Sequence, residues 1–171
     1  MRGRRPAGFD GGLHAPVAAQ VEKPRSELLV SPILVEVREV LERQVTLFSG
    51  ELFNVERKSD LYGYCDFLIS RDPLVLQIEA PVVVVAGAKK ENLTAGVAQC
   101  IAGMVAAQRF NDKRGKPVPP VFGVLTSGTN WQFLQITNTA VEVELGEHTL
   151  AELPIILGIL VYMASGRTDS P

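Results

Sequence analysis

Histidine, cysteine and aromatic residues are scarce in this sequence, and neither sign of charge dominates. The 171 residues include two histidines, His14 and His148, and two cysteines, Cys65 and Cys100. Two distant histidines supply too few donors for a histidine-based triad or a zinc centre. The cysteines lack metal-ligand spacing and lie in apolar contexts, so they read as buried thiols of a reducing compartment. A net charge of −2 gives no global field that draws the chain to nucleic acid. Any such contact needs a local basic patch. No apolar run reaches the roughly 18 residues of a membrane helix. The longest, Leu153 to Ala164, reads as a packed terminal helix, which points to a cytoplasmic protein with no membrane partner. There is no internal repeat. What is present is one domain's length of chain, 46% hydrophobic, enough for a real core.

Residues 1–24 are rich in Gly, Pro, Arg and Ala, with Arg2, Arg4 and Arg5 at the start. They read as a flexible leader without the apolar segment of a secretion signal. Residues 25–165 read as the domain and 166–171 as a tail. Leu28, Leu29, Ile33, Leu34, Val37 and Leu41 recur at helical spacing, which predicts a helix from Ser26 to about Arg43 with a kink or break at Pro32. Val45 to Phe48 and Leu52 to Val55 read as two short strands about a Ser49-Gly50-Glu51 turn. Tyr62 to Ser70 reads as a strand. Leu74 to Ala80 reads as the start of another, broken by Pro81.

Val82 to Val85 are four valines in a row, with no helical period. They read as a strand buried on both faces. This strand runs into Gly87, Ala88 and Lys89, and a helix over Leu93 to Phe110 follows. Asn111 to Pro120 reads as a basic, proline-rich loop. Lys90, Arg109, Lys113 and Arg114 are candidate contacts to a phosphate backbone. Val121 to Thr126 reads as a strand parallel to the valine strand, joined to it by a right-handed crossover. Trp131 to Ile136 and Ala140 to Leu145 form a hairpin, with Trp131 in the core. Glu142 and Glu144 mark the solvent face of an edge strand. A helix over Leu150 to Ala164 closes the domain. The fold class is α/β.

Two charged residues stand out. Lys89 lies where a core strand hands over to a helix, and Asp66 lies within an apolar strand. Either is costly there without a partner or a task. A carboxylate at a dry sheet edge can bind Mg²⁺ or Mn²⁺, which polarises a phosphoryl oxygen and lowers the pKa of a bound water. A nearby lysine can orient that water or stabilise transition-state charge. One carboxylate is rarely enough, so a second acid is expected, from the neighbouring strand or from Glu36 or Glu39 of the first helix.

The order helix, three strands, helix, strand resembles the PD-(D/E)XK nuclease fold. The residues that carry the resemblance are Ser31-Pro32-Ile33-Leu34, Gly63 to Leu68 around Asp66, Ala88 to Asn92, Gly96 to Cys100, and Thr126-Ser127-Gly128 with Trp131. The chain is similar to the N-terminal nuclease domain of type I restriction enzyme motor subunits, and to small stand-alone proteins of cyanobacterial type. The resemblance covers about residues 26 to 163 and adds a C-terminal hairpin and helix to a restriction-endonuclease-like core. It implies Asp66 as metal ligand, Lys89 as catalytic lysine, Gln99 on the helix beside the site, and Glu36 as a first-helix acid and second metal ligand. It implies metal-dependent cleavage of DNA, with a homodimer serving the two strands. One departure is central: the family motif is acid, any residue, lysine, and this chain has Gly87 in the acid's place. Glycine offers no ligand, so the expected activity is weakened or lost. Glu79 is too far along the chain to substitute, about 26 Å of extended strand from Gly87. The alternative expectation is a non-catalytic pseudo-nuclease that binds nucleic acid or a protein.

Overall fold

A computed structural model of the chain describes residues 26–56, 61–73, 76–88 and 92–166. The leader, the tail, Lys89, Lys90 and most of the charged loop after Glu56 lie outside the described residues. Ser26–Val30 forms a π-helical turn that runs directly into α1, Ser31–Val40. Pro32 sits in the first turn of α1, where its missing N–H leaves no helical bond unmade. The expected break is therefore a change of helical geometry. α1 stops short of the expected Arg43, and Glu42 and Arg43 turn the chain away with φ of 52° and 60°.

Among the described residues, seven strands form one sheet. They are β1 (Thr46–Glu56), β2 (Leu61–Ser70), β3 (Val82–Ala88), β4 (Val121–Thr126), β5 (Asn130–Thr137), β6 (Ala140–Val143) and β7 (His148–Thr149). The first six follow one another across the sheet, and β7 adds to β5. Every neighbouring pair is antiparallel except β3 and β4, which run parallel. Parallel neighbours cannot share a tight turn, and α2 (Val97–Lys113) makes the crossover, entered through a short 3₁₀ turn, Thr94–Gly96. The molecule is thus mixed α/β, with α3 (Leu153–Ser165) as its last helix.

The helices cover both faces of the sheet. Leu34 and Val37 of α1 join Ile156, Leu160 and Met163 of α3 in a core with Phe67, Val84, Ala86, Val124 and Trp131. Cys100, Met104 and Ala107 of α2 join Phe48, Leu68, Leu125 and Leu134 on the other side. β3 and β4 lie between these two cores, which explains their unbroken apolar runs. α2 comes close to β4: a Cβ on Gly123 would lie 2.5 Å from Met104 Sδ and 2.8 Å from Cys100 Sγ. No helix among the described residues is long and apolar enough to cross a membrane.

Several sequence expectations need correction. β1 is one strand, not two. Gly50 takes φ 64°, but β2 pairs with β1 on both sides of it, from Thr46↔Ser70 to Glu56↔Leu61. The turn signal gives a bend rather than a reversal. Residues 76–80 form no strand. There, Ser70 Oγ donates to the Glu79 carbonyl (2.6 Å) and the Arg71 N–H to that of Pro81 (3.0 Å). The hairpin strand β6 ends at Val143 rather than Leu145. His148, one of the two histidines, lies in β7. α2 runs on to Lys113, through the first residues of the supposed loop.

That extension places Asn111, which is buried, against the start of β3. Its Nδ2 donates to the Val82 carbonyl and its Oδ1 accepts the Val82 N–H, both at 2.8 Å. The amide thus does for Val82 what a neighbouring strand would do. Replacing Asn111 by alanine strands two buried backbone groups, an expected cost of about 2–3 kcal/mol. The check is the urea midpoint of Asn111→Ala, and an unchanged midpoint would show that water replaces the amide.

Candidate functional site

The carboxyl ends of β3 and β4 stop side by side, with Ala88 paired to Thr126. In open α/β sheets such ends are where ligands bind. β2 runs antiparallel to β3, and their pairing ends at Phe67 opposite Ala86, one residue short of Asp66 on β2 and of Gly87 on β3. The two positions that the nuclease motif would fill with acids thus both lie one residue beyond the last β2–β3 pair. One of them carries no side chain.

Asp66 is exposed, contrary to the expectation of a buried acid. The reason is local. Phe67 packs into the core under α1 and α3, while Leu68 and Cys65 pack toward α2. Residues three apart thus share a face, so the strand alternation is interrupted at Asp66. In β1, Ser49 and Glu51 pair with Phe67 and Cys65, which puts the left-handed Gly50 at the same level. A glycine there lets β1 bend with β2. Cys65, which is half-buried rather than buried, registers the acid beside it: burial, and secondly the charge of Asp66, push its thiol up to about 11.

Of the other predicted residues, Lys89 and Lys90 lie outside the described residues. Gln99 is exposed in the first turn of α2. Glu36 is exposed on α1, whose buried side packs with α3 on the opposite face of the sheet. Gln99 and Glu36 thus belong to helices on different faces. Glu39 is engaged within its own helix region, accepting from Arg43 Nε at 3.0 and 3.1 Å. Among the described residues, no group of three or more His, Cys, Asp or Glu gathers where a metal ion could be held.

The Thr-Ser-Gly…Trp segment has a structural account. Thr126 Oγ1 accepts the Gly128 N–H (2.9 Å), Ser127 Oγ accepts the Asn130 N–H (3.1 Å), and the buried Trp131 indole donates to the Gly128 carbonyl (3.3 Å). These bonds close the turn between β4 and β5. The basic segment lies elsewhere. Arg114 pairs with Glu79 at 3.0 Å and lies over the Phe110 ring, and Lys116 donates to the Ala80 carbonyl at 3.1 Å. Glu79, too distant to replace an acid at position 87, is thus held by a cation of the loop. Arg109 and Lys113 are exposed near the same end of α2. From Gln99 to Lys113 the helix rises roughly 21 Å, which sets its basic end far from Gln99.

Neither the family models, the curated proteins nor the solved structures compared with this chain contain a match to it. A direct probe of the acid is the thiol beside it. Cys65 should alkylate slowly at neutral pH and faster as pH rises toward about 11. The unfolded thiol ionises first, near 9.0, so this contribution to stability is present below pH 9.0 and lost as pH rises toward about 11. Asp66→Asn should shift the alkylation profile to lower pH, read by mass spectrometry of the Cys65 peptide. Identical profiles would mean that the carboxylate does not act on the thiol.

Proposed function

We propose that this chain is a nuclease-like domain of the PD-(D/E)XK type, directed at phosphodiester bonds of DNA, with its metal site short of one carboxylate. The observation that supports the reading is that Asp66 and Gly87 both lie one residue beyond the last β2–β3 pair, Phe67 with Ala86. This point falls at the carboxyl end of β3, in a sheet whose β1–β3 meander is followed by α2 and a parallel β4. This is the element order expected of a restriction-endonuclease-like core, extended here by β5 to β7 and α3.

The described donor set fits a divalent ion only in part. Asp66 is its single carboxylate; Glu36, the first-helix acid of the resemblance, stands on a helix that covers the other face of the sheet from Gln99. Mg²⁺ keeps several waters and commonly takes one or two carboxylates together with substrate phosphate, so the deficit weakens the site without making it meaningless. When bound, Mg²⁺ or Mn²⁺ would polarise the phosphodiester and acidify a water. Lys89 is the residue assigned to that water, and Gln99 a neighbour on α2. Two copies of the chain would serve the two strands of a duplex. DNA that reaches both Asp66 and the basic end of α2 would run along the length of that helix.

The vacancy of a side chain at position 87 favours a second reading, a non-catalytic relative that binds DNA or a protein without cutting. The behaviour of the wild-type chain separates the two, and Gly87→Glu tests the family reading they share. Under the first reading the wild-type chain nicks plasmid DNA with Mn²⁺, Lys89→Ala abolishes nicking, and Gly87→Glu raises Mn²⁺ affinity by about tenfold, roughly 1.4 kcal/mol, as read by calorimetry. Under the second, the wild type neither nicks nor binds the ion, and Gly87→Glu restores ion binding. If Gly87→Glu binds no metal at all, the family reading itself fails.

A further inference from the structure

Between Lys116 and Arg167 the sequence contains no lysine or arginine, yet it holds Glu142, Glu144, Glu147 and Glu152. This segment builds the far end of the sheet. β6 is the last strand of the path, hydrogen-bonded to β5 and with all four of its residues exposed. Its two sides differ. Val141 and Val143 pair with Ile136 and Leu134, which face the α2 core, and each valine is 38% exposed. Glu142 pairs with Gln135 on the α3 side, and Gln135 Nε2 donates to it at 2.7 Å.

On that α3 side lies a groove of about 320 Å³ between β6 and the last helix, lined among others by Phe122, Phe133, Ile159, Tyr162, Glu142 and Glu144. Its floor is aromatic, with Phe122 and Tyr162 in edge contact at 6.2 Å. Its rim is acidic. Glu144 meets His148 Nε2 at 2.9 Å. An aromatic floor under a carboxylate rim suits the aliphatic stem and cationic head of arginine or lysine.

We propose that this edge receives an extended segment of another protein by strand addition, with basic and apolar residues alternating along it. Backbone groups of β6 supply the pairing. Basic side chains of the added strand enter the groove against Glu142 and Glu144, and its apolar side chains cover Val141 and Val143. A second copy of β6 is a poor occupant, because antiparallel self-pairing brings glutamates of the two strands together on one face. The glutamates guard the edge against neutral or acidic strands and admit a basic one. The four residues of β6 span about 14 Å, so affinity belongs to the weak range of transient encounters. The surface lies away from Asp66 and does not depend on the activity there.

The test is fluorescence anisotropy of the full chain with a labelled peptide of about eight residues, alternating arginine and valine. A peptide of the same composition in two blocks is the control. The alternating peptide should bind about tenfold tighter than the block peptide, with amide chemical-shift changes concentrated on residues 140–145. The double variant Glu142→Lys, Glu144→Lys should lose about tenfold in affinity, with the near-ultraviolet signal of the buried Trp131 unchanged as a fold check. Equal binding of the two peptides, or shifts centred elsewhere, would overturn the proposal. So would a dimer in solution that buries β6. Should the variant not fold, the comparison of the two peptides and the shift map decide by themselves.

Discussion

The parallel pairing of β3 with β4 is the constraint on which the rest of the structure depends. Because parallel neighbours need a crossover, α2 must leave the carboxyl end of β3 and return to the start of β4. That requirement fixes which end of the helix meets which end of the sheet. It also brings α2 down onto β4 so closely that position 123 has no room for a side chain. Asn111 secures the return, bonding both polar groups of Val82 as the chain turns back. The two-sided burial of β3 and β4 follows from the same arrangement, since helices then cover both faces.

The crossover also divides the molecule electrostatically. Arg109, Lys113, Arg114 and Lys116 collect near the end of α2, by the starts of β3 and β4. Asp66 and Gly87 stand at the other end of those strands. Part of the basic end is structural: Arg114 and Lys116 hold residues 79 and 80 in place. The far edge, β6 with α3, carries glutamates and no lysine or arginine of its own segment. A protein that is nearly neutral in total is thus patterned from one region to the next. Local pattern, not net charge, decides which partners can approach each surface.

Much of the fold was legible because it rests on periodicity. The valine run, the helix through Val97, Ile101 and Met104, and the hairpin about Asn138 bury or turn as their local chemistry demands. The misreadings share one cause. Ser49-Gly50-Glu51 is a turn signal in isolation, but a long β2 pairing on both sides of it leaves only a bend. Asn111 reads as the start of a loop, because nothing nearby in sequence says that Val82, 29 residues away, needs its amide. The candidate site was less legible. Asp66 looked buried from its apolar neighbours, and a break in strand alternation, shared with β1, turns it to solvent.

By itself the sequence determined most of the elements, the two-sided burial of the valine strand, the core position of Trp131 and the missing side chain at Gly87. Each of these depends on residues close in the chain or on the chemistry of one residue. Tertiary structure alone decided that the β2–β3 pairing ends beside Asp66 and Gly87 and that Glu36 and Gln99 belong to helices on opposite faces. It also set the basic end of α2 apart from the acid and left an acid-rimmed groove beside β6. Those relations depend on register and crossover, which are set by packing between elements far apart in sequence, and no local pattern encodes them.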